Sequence, residues 1–141
     1  MPTRKSQAIW NGDLKNGNGK LVIGDHSMEG RYTFPSRFEE GEGTNPEELI
    51  GAAHAGCYAM ALSMILGQAG HNPERIDAEA TVSLEQQDDG FAITGIHLNV
   101  AGVVPGADAD AFDKAANEAK SGCPVSKALS PEITLEARLI D

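Results

Sequence analysis

The spacing of apolar residues changes twice along the chain, and each change predicts a different kind of element. Early apolar residues come in short runs, Ala8-Ile9-Trp10 and Lys20-Leu21-Val22-Ile23, separated by the turn-forming stretch NGDLKNGNG. These predict short strands, with a third over 31–38 in which Pro35 marks an edge or a bend. The following EEGEGT, 39–44, is expected to be a flexible acidic loop. From Asn45 the pattern becomes almost continuously apolar in NPEELIGAAHAGCYAMALSMIL, the signature of a long helix. Asn45 suits the N-cap, Pro46 the first helical position, and Glu48 falls where it can close a capping box. Gly70 and Asn72-Pro73 are expected to stop the helix at about Gln68 or Ala69.

A period of two follows. Ile76, Ala78, Ala80, Val82 and Leu84 share one face of a strand predicted over 76–85, and Asp88-Asp89-Gly90 makes the turn. A second strand over 91–104 alternates less cleanly through Ile93, Ile96, Leu98 and Val100. Helical spacing returns with Phe112, Ala115, Ala116 and Ala119, predicting an amphipathic helix over 108–121 that Gly122 ends. Pro124 opens a short helix after Cys123, and 133–140 reads as a last strand. The expected fold is a single α+β domain, 1–141, of order βββ-α-ββ-αα-β, with antiparallel sheets around the long apolar helix.

That helix is apolar on nearly every side, so it must be covered on most of them. Gly51, Ala52, Ala53, Ala55 and Gly56 would let another backbone approach closely. A small domain has little with which to cover such a helix, so a homodimer is expected.

Composition narrows the function. The chain has 141 residues, 40% of them hydrophobic but only 5% aromatic, so the core must rest on aliphatic side chains. A formal net charge of −10 argues against nucleic acid and anionic membranes as partners. The start, MPTRKSQAIWNG, has no apolar leader, and the long apolar run is interrupted by His54 and glycines. The expected location is cytoplasmic. In a reducing compartment, two cysteines point to catalysis or metal binding sooner than to a lasting structural disulfide.

Cys57 lies on a helical stripe with Ile50, Ala53, Met60, Ala61 and Met64, so it reads as a packing thiol or as a reactive one. Cys123 sits at a helix junction, where backbone N–H groups favour a thiolate, or where a small residue simply fits. Arg37, flanked by Phe34, Pro35 and Phe38, is either an ordinary edge-strand arginine or a cation able to stabilise a buried thiolate.

Arg37 within SRF, the helix NPEELIGAAHAGC and the later CPVSKAL together resemble the OsmC/Ohr family, most closely its OsmC branch, and the resemblance runs over nearly the whole chain. It implies a thiol peroxidase that reduces organic hydroperoxides in stress defence. Cys57 would attack the peroxide, Cys123 would resolve the sulfenic acid into a disulfide, Arg37 would activate the thiolate, and Glu47 would orient the arginine. Glu48 has a local capping task, whereas Glu47 has none. His54, three residues before Cys57, is not required as a base, since the related Ohr branch carries a tyrosine there. No redox cofactor and no metal is needed, but an external dithiol must re-reduce the pair; the resemblance suggests a lipoylated protein. The apolar stripe around Cys57 suits alkyl or lipid hydroperoxides. Two rival readings use the same residues without catalysis: a zinc site built from the cysteines and two histidines, or a disulfide-stabilised stress protein.

A length argument concerns assembly. Glu47 and Cys57 are ten residues apart on one predicted helix, roughly 15 Å at 1.5 Å per residue. A glutamate cannot span that distance, which favours an intertwined homodimer in which Glu47 of one chain serves Cys57 of the other.

Overall fold

The computed structural model describes residues 1–140; Asp141, the last residue of the expected domain, lies outside the described residues. By compactness the chain divides into two units, Met1–Leu49 and Ile50–Asp141.

The first unit holds an antiparallel sheet of three strands, β1 (Ser6–Asn11), β2 (Asn18–Ile23) and β3 (Met28–Tyr32). Trp10 and Tyr32 pack with ring centroids 5.3 Å apart. Gly19 lies against both rings, and a Cβ there would collide with them. The third strand is shorter than its apolar content predicts, because 34–38 forms the single-turn helix α1 (Phe34–Phe38). Thr33 and Ser36 make a reciprocal capping box: the Ser36 N–H donates to Thr33 Oγ1 (3.2 Å) and the Thr33 N–H to Ser36 Oγ (2.8 Å). Pro35 falls in the first turn, where its missing N–H costs nothing.

The acidic loop expected to be flexible is tied at its ends. Ser36 Oγ donates to the Thr44 carbonyl (2.8 Å), Asn45 Nδ2 to the Ser36 carbonyl (2.9 Å), and the Thr44 N–H to the Arg31 carbonyl (2.8 Å).

Helix α2 (Pro46–Gln68) begins in the first unit and continues through the second. Asn45 Oδ1 accepts the Glu48 N–H (2.8 Å), as the N-cap pattern predicts, while the Glu48 carboxylate accepts from the Thr44 hydroxyl (3.1 Å). At the other end Gly70 adopts φ +89°, and the His71 N–H reaches the Leu66 carbonyl (2.8 Å), closing a Schellman turn.

The second unit is built on β4 (Arg75–Gln87), β5 (Gly90–Val103) and β6 (Glu132–Leu139). β4 and β5 are antiparallel, with a register shift at Ser83/Leu84 that pairs Ser83 with Gly95 and Leu84 with Ile93. Thr94 is thereby left over, which changes the phase of alternation between Ile93 and Ile96 and explains the imperfect pattern along β5. β6 pairs with β5 in parallel, so this sheet is mixed, not wholly antiparallel as expected. The crossover from β5 to β6 carries α3 (Ala109–Gly122) and α4 (Pro124–Ala128).

One core joins these elements. Tyr58, Leu62 and Leu66 of α2 meet Leu98, Val100 and Val104 and the α3 face of Phe112, Ala115, Ala116 and Ala119, with Cys123 at its margin. Tyr58 Oη donates to the Ala116 carbonyl (2.9 Å), fixing α2 to α3. The opposite face of α2 is open: Ala52, Ala53 and Gly56 are exposed, as are Met60 (77%) and Met64 (57%).

Candidate active site

The four residues singled out from the sequence form two pairs, one in each unit. In the first, the two capped starts of α1 and α2 are cross-linked by Ser36 and Asn45, and Arg37 thereby faces Glu47. Arg37 Nε (3.1 Å) and Nη2 (2.8 Å) both donate to Glu47 Oε1. The guanidinium also lies 5.2 Å from the centre of the Phe38 ring. Glu47 is buried, and its second oxygen, Oε2, has no hydrogen-bond partner among the described residues. A buried carboxylate holding an arginine through one oxygen leaves that arginine's other face free to meet an anion.

The second pair is Cys57 and Cys123, both reduced, with sulfurs 2.9 Å apart. A covalent disulfide would need about 2.05 Å. Cys57 comes from the middle of α2 and is half-buried; Cys123 is fully buried. Cys123 ends α3 and caps α4 with its backbone: its N–H donates to the Ala119 carbonyl (3.0 Å) and its carbonyl accepts from Lys127 (3.1 Å), which leaves the thiol free to face Cys57.

Local electrostatics separate the two thiols. Burial pushes Cys57 above the ordinary thiol value, and the adjoining Cys123 pushes it further, against a smaller pull from the Val125 N–H. Burial also pushes Cys123 up. There, however, hydrogen bonds from Cys57, from the Ser126 N–H and hydroxyl, and from the Val125 N–H outweigh it and bring the thiol below its ordinary value. Tyr58 is raised by burial and by the charge of Cys123, so it stays a phenol.

His54 does not face Cys57 as a base. It is fully buried and turned to Ser126, with Nε2 2.7 Å from Ser126 Oγ. Burial lowers its pKa and keeps it neutral. Ser126 was not visible as a site residue in the sequence. The one available signal was its place three residues after the helix-capping Cys123, where a side chain can reach back to the cap. Among the described residues, no three His, Cys, Asp or Glu side chains gather where they could hold a metal ion.

Cys57 on the long helix α2 and Cys123 at the start of α4 thus meet beside the core of an α+β fold. The chain belongs to the OsmC-like protein family, whose model matches residues 39–138. It is 52% identical over 137 residues to Peroxiredoxin OsmC of Escherichia coli (strain K12), covering 96% of both chains. It is 33% identical to Organic hydroperoxide resistance protein OhrA of Bacillus subtilis (strain 168), covering 84% of this chain and 86% of that one. The crystal structure of an OsmC-like protein from Mycoplasma pneumoniae superposes with a TM-score of 0.78 at 14% identity over 99% of each chain, a likeness of fold. At the level of class, these bacterial relatives support a peroxidase of stress defence.

Proposed function

We propose that the protein is a cytoplasmic thiol peroxidase that reduces alkyl or lipid hydroperoxides, with the whole chain acting as one functional domain. The observation that carries this reading is the 2.9 Å approach of two free thiols that differ in access, Cys57 half-buried and Cys123 wholly buried. A peroxide can reach only the first. The Cys57 thiolate attacks the distal peroxide oxygen; the O–O bond breaks, the alcohol leaves with a proton, and Cys57 becomes a sulfenic acid. Cys123 then attacks the Cys57 sulfur, an S–S bond forms, and the oxygen departs as water. An external dithiol, such as a lipoylated protein, returns both thiols. The relatives' names, Peroxiredoxin OsmC and Organic hydroperoxide resistance protein, support this substrate class.

Burial and the adjoining Cys123 push Cys57 up, so it needs a cation to become the attacking thiolate. Arg37, held by Glu47, is the group proposed to supply it. The exposed Ala52, Ala53, Gly56, Met60 and Met64 face of α2, together with the unpaired Glu47 Oε2, supports an intertwined homodimer in which the Arg37–Glu47 pair of one chain serves Cys57 of the other. Replacing Cys57 with Ser tests the roles: turnover of an alkyl hydroperoxide is abolished. With Cys123→Ser, about one equivalent is consumed and a sulfenic acid persists that over-oxidises. Continued multiple turnover by Cys57→Ser would overturn the assignment.

A further inference from the structure

The residue that caps α2 has a side chain with two partners, and only one of them is the cap. Asn45 Oδ1 accepts the Glu48 N–H (2.8 Å), while Nδ2 donates to the Ser36 carbonyl (2.9 Å). The two bonds fix the orientation of the amide, since turning it over would set N–H against N–H and oxygen against oxygen. Each partner belongs to a peptide unit beside the ion pair. The Ser36 carbonyl lies on the peptide that enters Arg37, and the Glu48 N–H on the peptide that leaves Glu47. A peptide unit is planar, so holding one of its atoms limits where the neighbouring side chain can point. The far side of the first peptide is held too, by the Arg37 N–H donating to the Thr33 carbonyl (3.2 Å). With five residues, α1 cannot hold that direction unaided, because a single helical turn is unstable without outside contacts. Serine and aspartate cap a helix about as well as asparagine. Of these three, only asparagine accepts through one atom and donates through another.

We infer that Asn45 is the positioning residue for Arg37: one amide sets both the α1 peptide and the α2 peptide that together aim the guanidinium at Glu47 Oε1. A second tie between the same segments, Ser36 Oγ donating to the Thr44 carbonyl (2.8 Å), remains when the amide is lost. Loss of the amide therefore falls on the aim of Arg37 sooner than on folding. The consequence for peroxide reduction rests on the reading of Arg37 as the cation for Cys57; the hold of Asn45 on Arg37 does not.

Two substitutions separate the cap from the tie. Asn45→Asp keeps the acceptor for the Glu48 N–H but sets an oxygen against the Ser36 carbonyl; Asn45→Ser also keeps an acceptor, adds no charge and ends short of the second partner. Unfolding midpoints should stay near the parent in both. The first measurement, on full-length protein without peroxide, is water exchange of the Arg37 Nε–H by nitrogen-15 NMR, the resonance being assigned by its loss in Arg37→Lys. Exchange should be about fivefold faster in each variant, the population shift expected for one lost hydrogen bond. The second follows loss of the Cys57 thiol with an alkyl hydroperoxide across pH, in a Cys123→Ser background. Each variant should slow attack about fivefold at pH 7 and move the pH–rate midpoint upward, part of the way to that of Arg37→Ala. Unmoved exchange in folded Asn45→Asp and Asn45→Ser overturns the inference. So does a change in Asn45→Asp alone, which would come from the added charge. Should Asn45→Asp not fold, Asn45→Ser decides on the same terms. Faster exchange in both variants, with a pH–rate profile unmoved even in Arg37→Ala, would uphold the hold on Arg37 and count instead against Arg37 as the cation for Cys57.

Discussion

Removing the Arg37 guanidinium should cost the first chemical step most of its rate at neutral pH, and the local field at the thiols sets the scale. An ordinary thiol of pKa about 8.5 is only about 3% ionised at pH 7, and both burial and Cys123 push Cys57 higher still. Making Cys57 mostly thiolate at pH 7 requires a lowering of about two units, or about 2.7 kcal/mol. One cation about 4 Å away at an effective dielectric near 20 supplies about 4 kcal/mol, so a single arginine suffices. Arg37→Ala should therefore slow peroxide attack by about 25-fold or more at pH 7, the ratio of the two thiolate fractions. Much of that rate should return above about pH 9, where the thiolate forms unaided. Arg37→Lys should fall between, because an ammonium keeps the charge but cannot reproduce the two donors that meet Glu47 Oε1. The assay is stopped-flow loss of the Cys57 thiol with an alkyl hydroperoxide across pH, in a Cys123→Ser background that isolates this step. An unchanged pH–rate profile in Arg37→Ala would refute the reasoning and remove Arg37 from the mechanism.

Three further outcomes follow from the same geometry. Co-expressing Cys57→Ser with Glu47→Ala chains should give heterodimers with one intact site and activity well above either parent; no recovery in verified heterodimers would argue against sharing across an interface. Tyr58→Phe should lower unfolding stability in urea by about 1 kcal/mol, because the buried hydrogen bond from the phenol to the Ala116 carbonyl is lost; an unchanged midpoint would contradict this. For His54 the folded-state pKa lies below the unfolded value of about 6.5. Its contribution to stability is therefore complete above about pH 6.5 and is lost as pH falls toward the folded value, since only the unfolded chain takes up the proton. His54→Gln should flatten that part of the stability–pH curve, and a curve of unaltered slope would show that His54 is not the titrating group.

The parts of the fold written in local patterns were readable. The strict alternation of β4 and the Asn45-Pro46 start and Gly70 stop of α2 each depend on neighbours within a few residues, and the structure places them where the pattern does. Three features depended on partners farther away. FPSRF has a strand's apolar content, yet Ser36 bonds to Thr33, Thr44 and Asn45, and those bonds make it helical. The uneven pattern of β5 reflects a bulge that exists only in its pairing with β4. The parallel setting of β6 follows from the α3–α4 crossover, which residue spacing alone does not reveal. Sulfur chemistry and a cation among apolar neighbours singled out Cys57, Cys123 and Arg37 as candidates, whereas Glu47 entered through the family resemblance. Ser126 was missed because its one local cue, a place three residues after Cys123, says nothing of His54, its hydrogen-bond partner 72 residues earlier in the chain.

The central claim is that Cys57 and Cys123 work as one redox pair, and a thiol count tests it most directly. Reduced wild-type protein is treated with one equivalent of an alkyl hydroperoxide per chain, quenched within seconds, titrated for free thiols and peptide-mapped. The account predicts the rapid loss of both thiols, a single linked peptide joining Cys57 to Cys123, and recovery of both thiols on adding a dithiol. Two thiols surviving the treatment, or a crosslink between Cys57 residues of different chains, would contradict it.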